Sequence, residues 1–223
     1  MSDARLRRLE RRWQETRSLD DEAALLRERA RAGVISPARL RVASALGHSA
    51  ARLVAPRPLL PVSFDGFDAP LYESGHPDWT PWEELLRDAG REVAVRMALP
   101  VAELGLAMCR ELVPLARAAP VPELEAVLDT ARAWTDDPCT ERRDAVQGAL
   151  QIAHTLVVNE ELMWSGTTTV ISAGSVVTEP TWPSCLRETV WWYATPGGSR
   201  DEARLRGAYQ AIVEAVVPWA LSP

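Results

Sequence analysis

The chain has 223 residues, a formal net charge of −6, 47% hydrophobic and 25% charged residues, a globular composition that can bury its own core and is too apolar for a disordered chain. All 25 basic residues are arginine, which excludes any mechanism that needs a lysine, from a Schiff base to a phosphate-loop ammonium. Cys109, Cys139 and Cys185 are odd in number and widely spaced, which argues against a disulfide framework or a structural zinc site and for a reducing, cytoplasmic compartment.

The charge is split along the chain. Up to Arg57, thirteen Arg face seven Asp and Glu; beyond it, twelve Arg face twenty-four acids. The N-terminal charges alternate at helical spacing, as in Arg27-Glu28-Arg29, the pattern of a solvated helix face laced with ion pairs. No aromatic interleaving accompanies them, so DNA or RNA is not an expected partner. The acidic remainder is suited to steering a basic protein toward it. Met1 to Arg5 run straight into charged residues, so no signal peptide is expected. The apolar run Ala211 to Leu221 is broken by Glu214 and Pro218 and is too short to span a bilayer.

In chain order, Leu6, Leu9 and Trp13 recur at three- and four-residue steps and predict a helix over 3–16. Ser18 to Asp21 offers an N-cap for a second helix with Ala23, Ala24, Leu25 and Leu26 on its apolar stripe, and Gly33 stops it. Ser36-Pro37 starts a third, which Gly47 ends, and a short helical turn follows around Ala50 to Val54. Residues 5–54, with Asp21-Glu22-Ala23-Ala24-Leu25-Leu26-Arg27-Glu28-Arg29 and Leu46-Gly47-His48-Ser49-Ala50-Ala51-Arg52, resemble a short helical module common in myxobacterial proteins. There it accompanies repeats and other interaction domains. The resemblance implies no activity and makes His48 a helix-turn residue and not a ligand.

Pro56, Pro58, Pro61, Pro70 and Pro77, with Asp65-Gly66-Phe67-Asp68, mark a connector over 56–80. Helices resume at Thr80-Pro81-Trp82-Glu83, read as an N-cap, a proline at N1 and an acid at N3. A long run from Glu92 to Ala118 follows, with Pro100 and Pro114 as breaks or kinks. Further helices are expected over Pro122 to Trp134, from Thr140 through His154, over Pro183 to Tyr193 and over Arg200 to Leu221. Residues 164–178 are ambiguous: Val170, Ile171, Val176 and Val177 have strand character, while alanine and glycine permit a tightly packed helix, which is the reading adopted. Cys109-Arg110-Glu111-Leu112-Val113-Pro114-Leu115 and Leu124 to Trp134, ending Thr130-Ala131-Arg132-Ala133-Trp134, are similar to a family of helical immunity proteins of bacterial polymorphic-toxin systems. The similarity covers about residues 90–160 of this chain; Ser165 to Pro183 departs from it by being less alanine-rich.

Chemistry-bearing motifs are scarce. His48, His76 and His154 are far apart, and the steps from His154 to Glu160 and Glu161 miss metal-ligand spacing. Ser165-Gly166-Thr167-Thr168-Thr169 lacks a nucleophile elbow and reads as a hydroxyl-capped helix start. The adjacent pairs Glu83-Glu84, Asp136-Asp137 and Glu160-Glu161 point about 100° apart on a helix and do not converge on one substrate. Of the nine tryptophans, Trp13, Trp82 and Trp134 fall on apolar stripes and read as core. Trp79, Trp182, Trp191 and Trp192 lie near prolines and chain breaks, where part of each ring is expected at the surface. With Tyr193 and arginines nearby they have the composition of a protein-binding hot spot, although rings sealing joints between helices would look the same.

The expectation is therefore an all-α protein: a helical hairpin module over 1–55, a Pro-rich connector over 56–80, and an α-bundle or α-solenoid-like body over 81–223. No catalytic, cofactor or metal residues are expected, and no membrane. The expected partner is another protein, such as a basic toxin occluded by an immunity protein. Trp182, Trp191, Trp192, Tyr193, Asp136, Asp137, Glu160 and Glu161 are the candidate binding residues. A scaffold or adaptor subunit, with self-association as a variant, and an enzyme whose site is assembled from distant residues are the alternatives.

Overall fold

The computed structural model describes residues 3–60, 79–112, 120–159, 165–196 and 201–223. Among them it contains eleven helices and no strand, so the protein is all-α. Two compact units form: Met1–Pro61 with Val216–Pro223, and Val62–Ala215.

The first unit holds α1 (Asp3–Thr16), α2 (Leu19–Arg31), α3 (Pro37–Ala45) and α4 (Ser49–Val54). Its boundaries follow local chemistry. Ser18 caps α2 by accepting from the Asp21 N–H at 3.2 Å, and Ser36 caps α3 in the same way through Arg39. Gly33 and Gly47 adopt φ of +73° and +93°, the left-handed conformation that lets the chain leave each helix abruptly. His48 caps α4: its Nδ1 accepts from the Ala51 N–H, which leaves Nε2 carrying the hydrogen 3.4 Å from Glu22. The alternating charges tie α1 to α2, with Arg12–Asp21 at 2.7 Å, Arg29–Glu10 at 2.8 Å and Arg5–Glu28 at 3.2 Å. Trp13 is half-buried, not core, because its ring carries the Arg17 guanidinium at 4.8 Å instead of apolar neighbours on every side. Leu26, Ile35, Leu40 and Ala43 form the core with Ala220, and Trp219 and Leu221 pack against it. Thus the last eight residues belong to this unit.

The second unit contains α5 (Thr80–Ala89), α6 (Arg91–Leu112), α7 (Val121–Asp136), α8 (Thr140–Asn159), α9 (Ser165–Thr178), α10 (Trp182–Ala194) and the larger part of α11 (Glu202–Leu221). It is a bundle around α9, which packs on α6, α7, α8 and α10. Contacts of α6 with α9 and α10, helices well apart in chain order, are those of the bundle alternative. Eleven of the fourteen residues of α9 are buried. Small residues make that possible: a Cβ on Gly174 would stand 2.7 Å from Leu150 and Val127 side-chain carbons. Two hydroxyls are satisfied within the helix: Thr169 Oγ1 donates to the Ser165 carbonyl at 2.5 Å and Ser175 Oγ to the Ile171 carbonyl at 3.1 Å. The β-branched run 164–178 is therefore helical over its described residues because close packing outweighs the modest cost of β-branching.

Three local expectations change. Trp79, not Thr80, is the residue before α5, and no side chain caps that end. Trp79 is also buried (1% exposed), stacked on Trp82 at 5.2 Å, whose edge meets Tyr209 at 6.3 Å. Finally, α6 continues through Pro100 and ends at Leu112; Pro114 and most of the 56–80 connector lie outside the described residues.

Candidate functional site

Helices α8, α9 and α10 enclose a cleft of about 640 Å³, a volume typical of ligand and side-chain pockets. Three polar stripes meet there, each at the three- and four-residue spacing that puts side chains on one helix face. Helix α8 supplies Gln147, Gln151 and His154; α9 supplies Thr168, Ser172 and Ser175; α10 supplies Glu188 and, one turn on, Trp192. Glu179, just past α9, completes the wall. These stripes were legible as periodicity but are polar, and a search for apolar faces passes over them.

The lining has a definite electrostatic character. Among the described residues its carboxylates are Glu179 and Glu188, and no arginine lines it. Burial raises the Glu188 carboxyl above the usual range, with the adjacent Arg187 opposing. Two nearby arginines are committed elsewhere: Arg91 donates to the carbonyls of Val177 at 2.7 Å and Glu179 at 2.9 Å, and Arg143 to that of Thr178 at 2.6 Å. Together they close the C-terminal turn of α9.

A second groove of about 470 Å³ between α6 and α7 is lined by Glu103, Arg110, Glu125, Asp129 and Arg132. Its charges are paired across the groove. Arg132 meets Glu103 at 2.7 Å and Asp129 at 2.6 Å, and Arg110 pairs with Glu125. Such exposed pairs are a laced surface and offer little to a ligand.

No family model, curated protein or solved structure matches this chain.

Of the six candidate residues that the structure describes, only Trp192 lines the cleft. Trp182, Trp191 and Tyr193 are half-buried on α10, and Tyr193 lies under the Arg204 guanidinium at 5.8 Å. Asp136 and Asp137 are exposed at the end of α7, Asp137 being 3.4 Å from Arg142. Glu160 and Glu161 lie outside the described residues. The described candidates lie on α10 and at the end of α7. The cleft instead brings in Glu188, His154, Ser172 and Ser175, which adjacency in sequence could not reveal.

Among the described residues no group of three or more His, Cys, Asp or Glu is arranged to hold a metal ion. Cys109 and Cys185 are buried, and burial raises both thiols to about 11, so they are protonated, poor nucleophiles at neutral pH. No helix among the described residues is long and apolar enough to cross a membrane.

Proposed function

We propose that the protein works by binding another protein through its second unit, and specifically that it is an immunity protein that occludes a basic toxin. The observation that carries this reading is Trp192, a half-exposed indole in a cleft whose charged lining includes Glu179 and Glu188. Partly exposed tryptophan in a pocket is the usual anchor of a protein interface, and an acidic lining favours a basic partner and a fast, salt-sensitive encounter. The immunity role extends the resemblance read from the sequence of residues 90–160, which no family model matches. Coexpression with a toxin encoded beside its gene should rescue growth, and the purified pair should associate more slowly as salt is raised. Failure to rescue from, or bind, the product of any neighbouring gene overturns it.

The same cleft favours a second reading. His154 and Glu188 both line it, and an imidazole and a carboxyl with a raised pKa in one cleft are equipment for general acid–base catalysis. That reading requires turnover of a small molecule that Glu188→Gln abolishes without loss of fold; binding without turnover leaves the first.

A further inference from the structure

We propose that the cleft between α8, α9 and α10 receives an arginine side chain of the partner protein, stacked on Trp192 and paired with Glu188. This rests on the protein-binding reading and names what that interface recognises.

The placement of the two α10 residues is the first reason. Glu188 and Trp192 are four residues apart, so they share one face of the helix at about 6 Å between Cβ atoms. A guanidinium lying on the indole can reach a carboxylate at that distance, and its planar fork is matched to carboxylate geometry. This chain stacks its own arginines in the same way: Arg39 lies over Trp219 at 4.7 Å and Arg17 over Trp13 at 4.8 Å. Among the described residues no guanidinium lies over Trp192.

The second reason is the hydrogen-bond polarity of the walls. Thr155 gives its hydroxyl proton to the Gln151 carbonyl at 2.7 Å, and Ser175 gives its own to Ile171 at 3.1 Å. Their oxygens are left as acceptors. Arg91 and Arg143 donate to backbone carbonyls at the end of α9, and Arg187, next to Glu188 in sequence, already acts on that carboxyl by its charge. With the carboxylates of Glu179 and Glu188 these acceptors suit a donor-rich cation such as arginine, with five N–H donors and no acceptor, and the Gln147 and Gln151 amides can turn their oxygens to it.

The test uses the full chain and two short probes, acetyl-Gly-Arg-Gly-amide and its citrulline counterpart, which keeps the shape and loses the charge. Binding is read from the Trp192 indole N–H resonance, assigned with Trp192→Phe. The arginine probe should shift that resonance saturably, and the citrulline probe should bind about tenfold more weakly or worse. Glu188→Gln, checked for an unchanged amide spectrum, should weaken the arginine probe to a similar degree. Equal affinity of the two probes, or shifts confined to other tryptophans, overturns the proposal without relying on any variant. A natural partner that binds Glu188→Gln and Trp192→Phe with unchanged affinity also overturns the cleft assignment while leaving protein binding intact. The lack of any protein partner removes both.

Discussion

Gly105 and Gly166 hold α6 and α9 at backbone contact: a Cβ on Gly166 would stand 2.7 Å from the Gly105 carbonyl oxygen, and 2.7 Å from the Cys109 sulfur. Backbone cannot yield as a flexible side chain can, so Gly166→Ala must push the two helices apart. It is expected to destabilise the chain by about 1–3 kcal/mol. Gly148 in α8 has nothing within 4 Å of the same position, and Gly148→Ala should stabilise by about 0.5–1 kcal/mol through helix propensity alone. Urea denaturation of the two variants should show shifts of opposite sign.

Arg39 holds the last residues of the chain. Its guanidinium lies on Trp219 and donates to the carbonyls of Trp219 and Ser222 and to the Ser222 hydroxyl. Arg39→Ala should cost the first unit about 1–3 kcal/mol. Arg39→Lys should recover only part, because an ammonium cannot stack and fork at once. Amide exchange of α3 and of residues 219–222 should accelerate in both variants, more in the first.

Asp21 ties stability to acid pH. Hydrogen bonds from Thr16 at 2.7 Å and Ser18 at 2.9 Å, with Arg12 adding its charge, hold its carboxyl below the ordinary value. A carboxyl whose folded value is depressed contributes stability that is fully present above the unfolded value, near pH 4. That contribution is lost as pH falls through the lower folded value. Melting temperatures followed downward from pH 5 should fall less steeply in Asp21→Asn, which would be the less stable protein at pH 7.

Glu188 predicts the opposite sign. Its folded value is raised by burial, so ionising it in the folded chain is unfavourable once pH passes the unfolded value near 4.3. The penalty is complete above the folded value. Glu188→Gln should therefore melt higher than the parent at pH 7, with the difference closing below about pH 4. A site residue held at a cost to stability is what a binding role would leave behind.

Thiol chemistry should separate the three cysteines. Cys109 and Cys185 are buried, and Cys139 is partly exposed. A disulfide reagent at neutral pH should modify about one thiol per folded chain quickly and the other two only on unfolding. Mass mapping of the modified peptide should place that thiol at Cys139.

The helices and most of their ends were legible because they depend on neighbours in sequence. Ser18, Ser36-Pro37, Gly33 and Gly47 act on backbone groups within four residues of themselves, and an apolar stripe such as Leu124, Val127, Leu128 and Ala131 declares its buried face by spacing. Trp79 was misread because proximity to prolines says nothing about Trp82, the ring it stacks on, or Tyr209 far along the chain. The cleft needed more still: Gln151, Ser172 and Glu188 are ordinary residues until three helices bring them to one wall.

By itself, then, the sequence determined an arginine-based all-α protein with an acidic second part and local caps, all consequences of composition and of contacts within one helical turn. Only the tertiary structure decided that α9 is the buried centre of a bundle, since glycine and alanine permit close approach without naming the helix that approaches. It alone placed Ala220 in the core of the first unit and Trp219 against that core, across nearly the whole length of the chain. It also made Trp192 and Glu188 part of a cleft, because a site of this kind is a meeting of faces, and each face is written on a different helix.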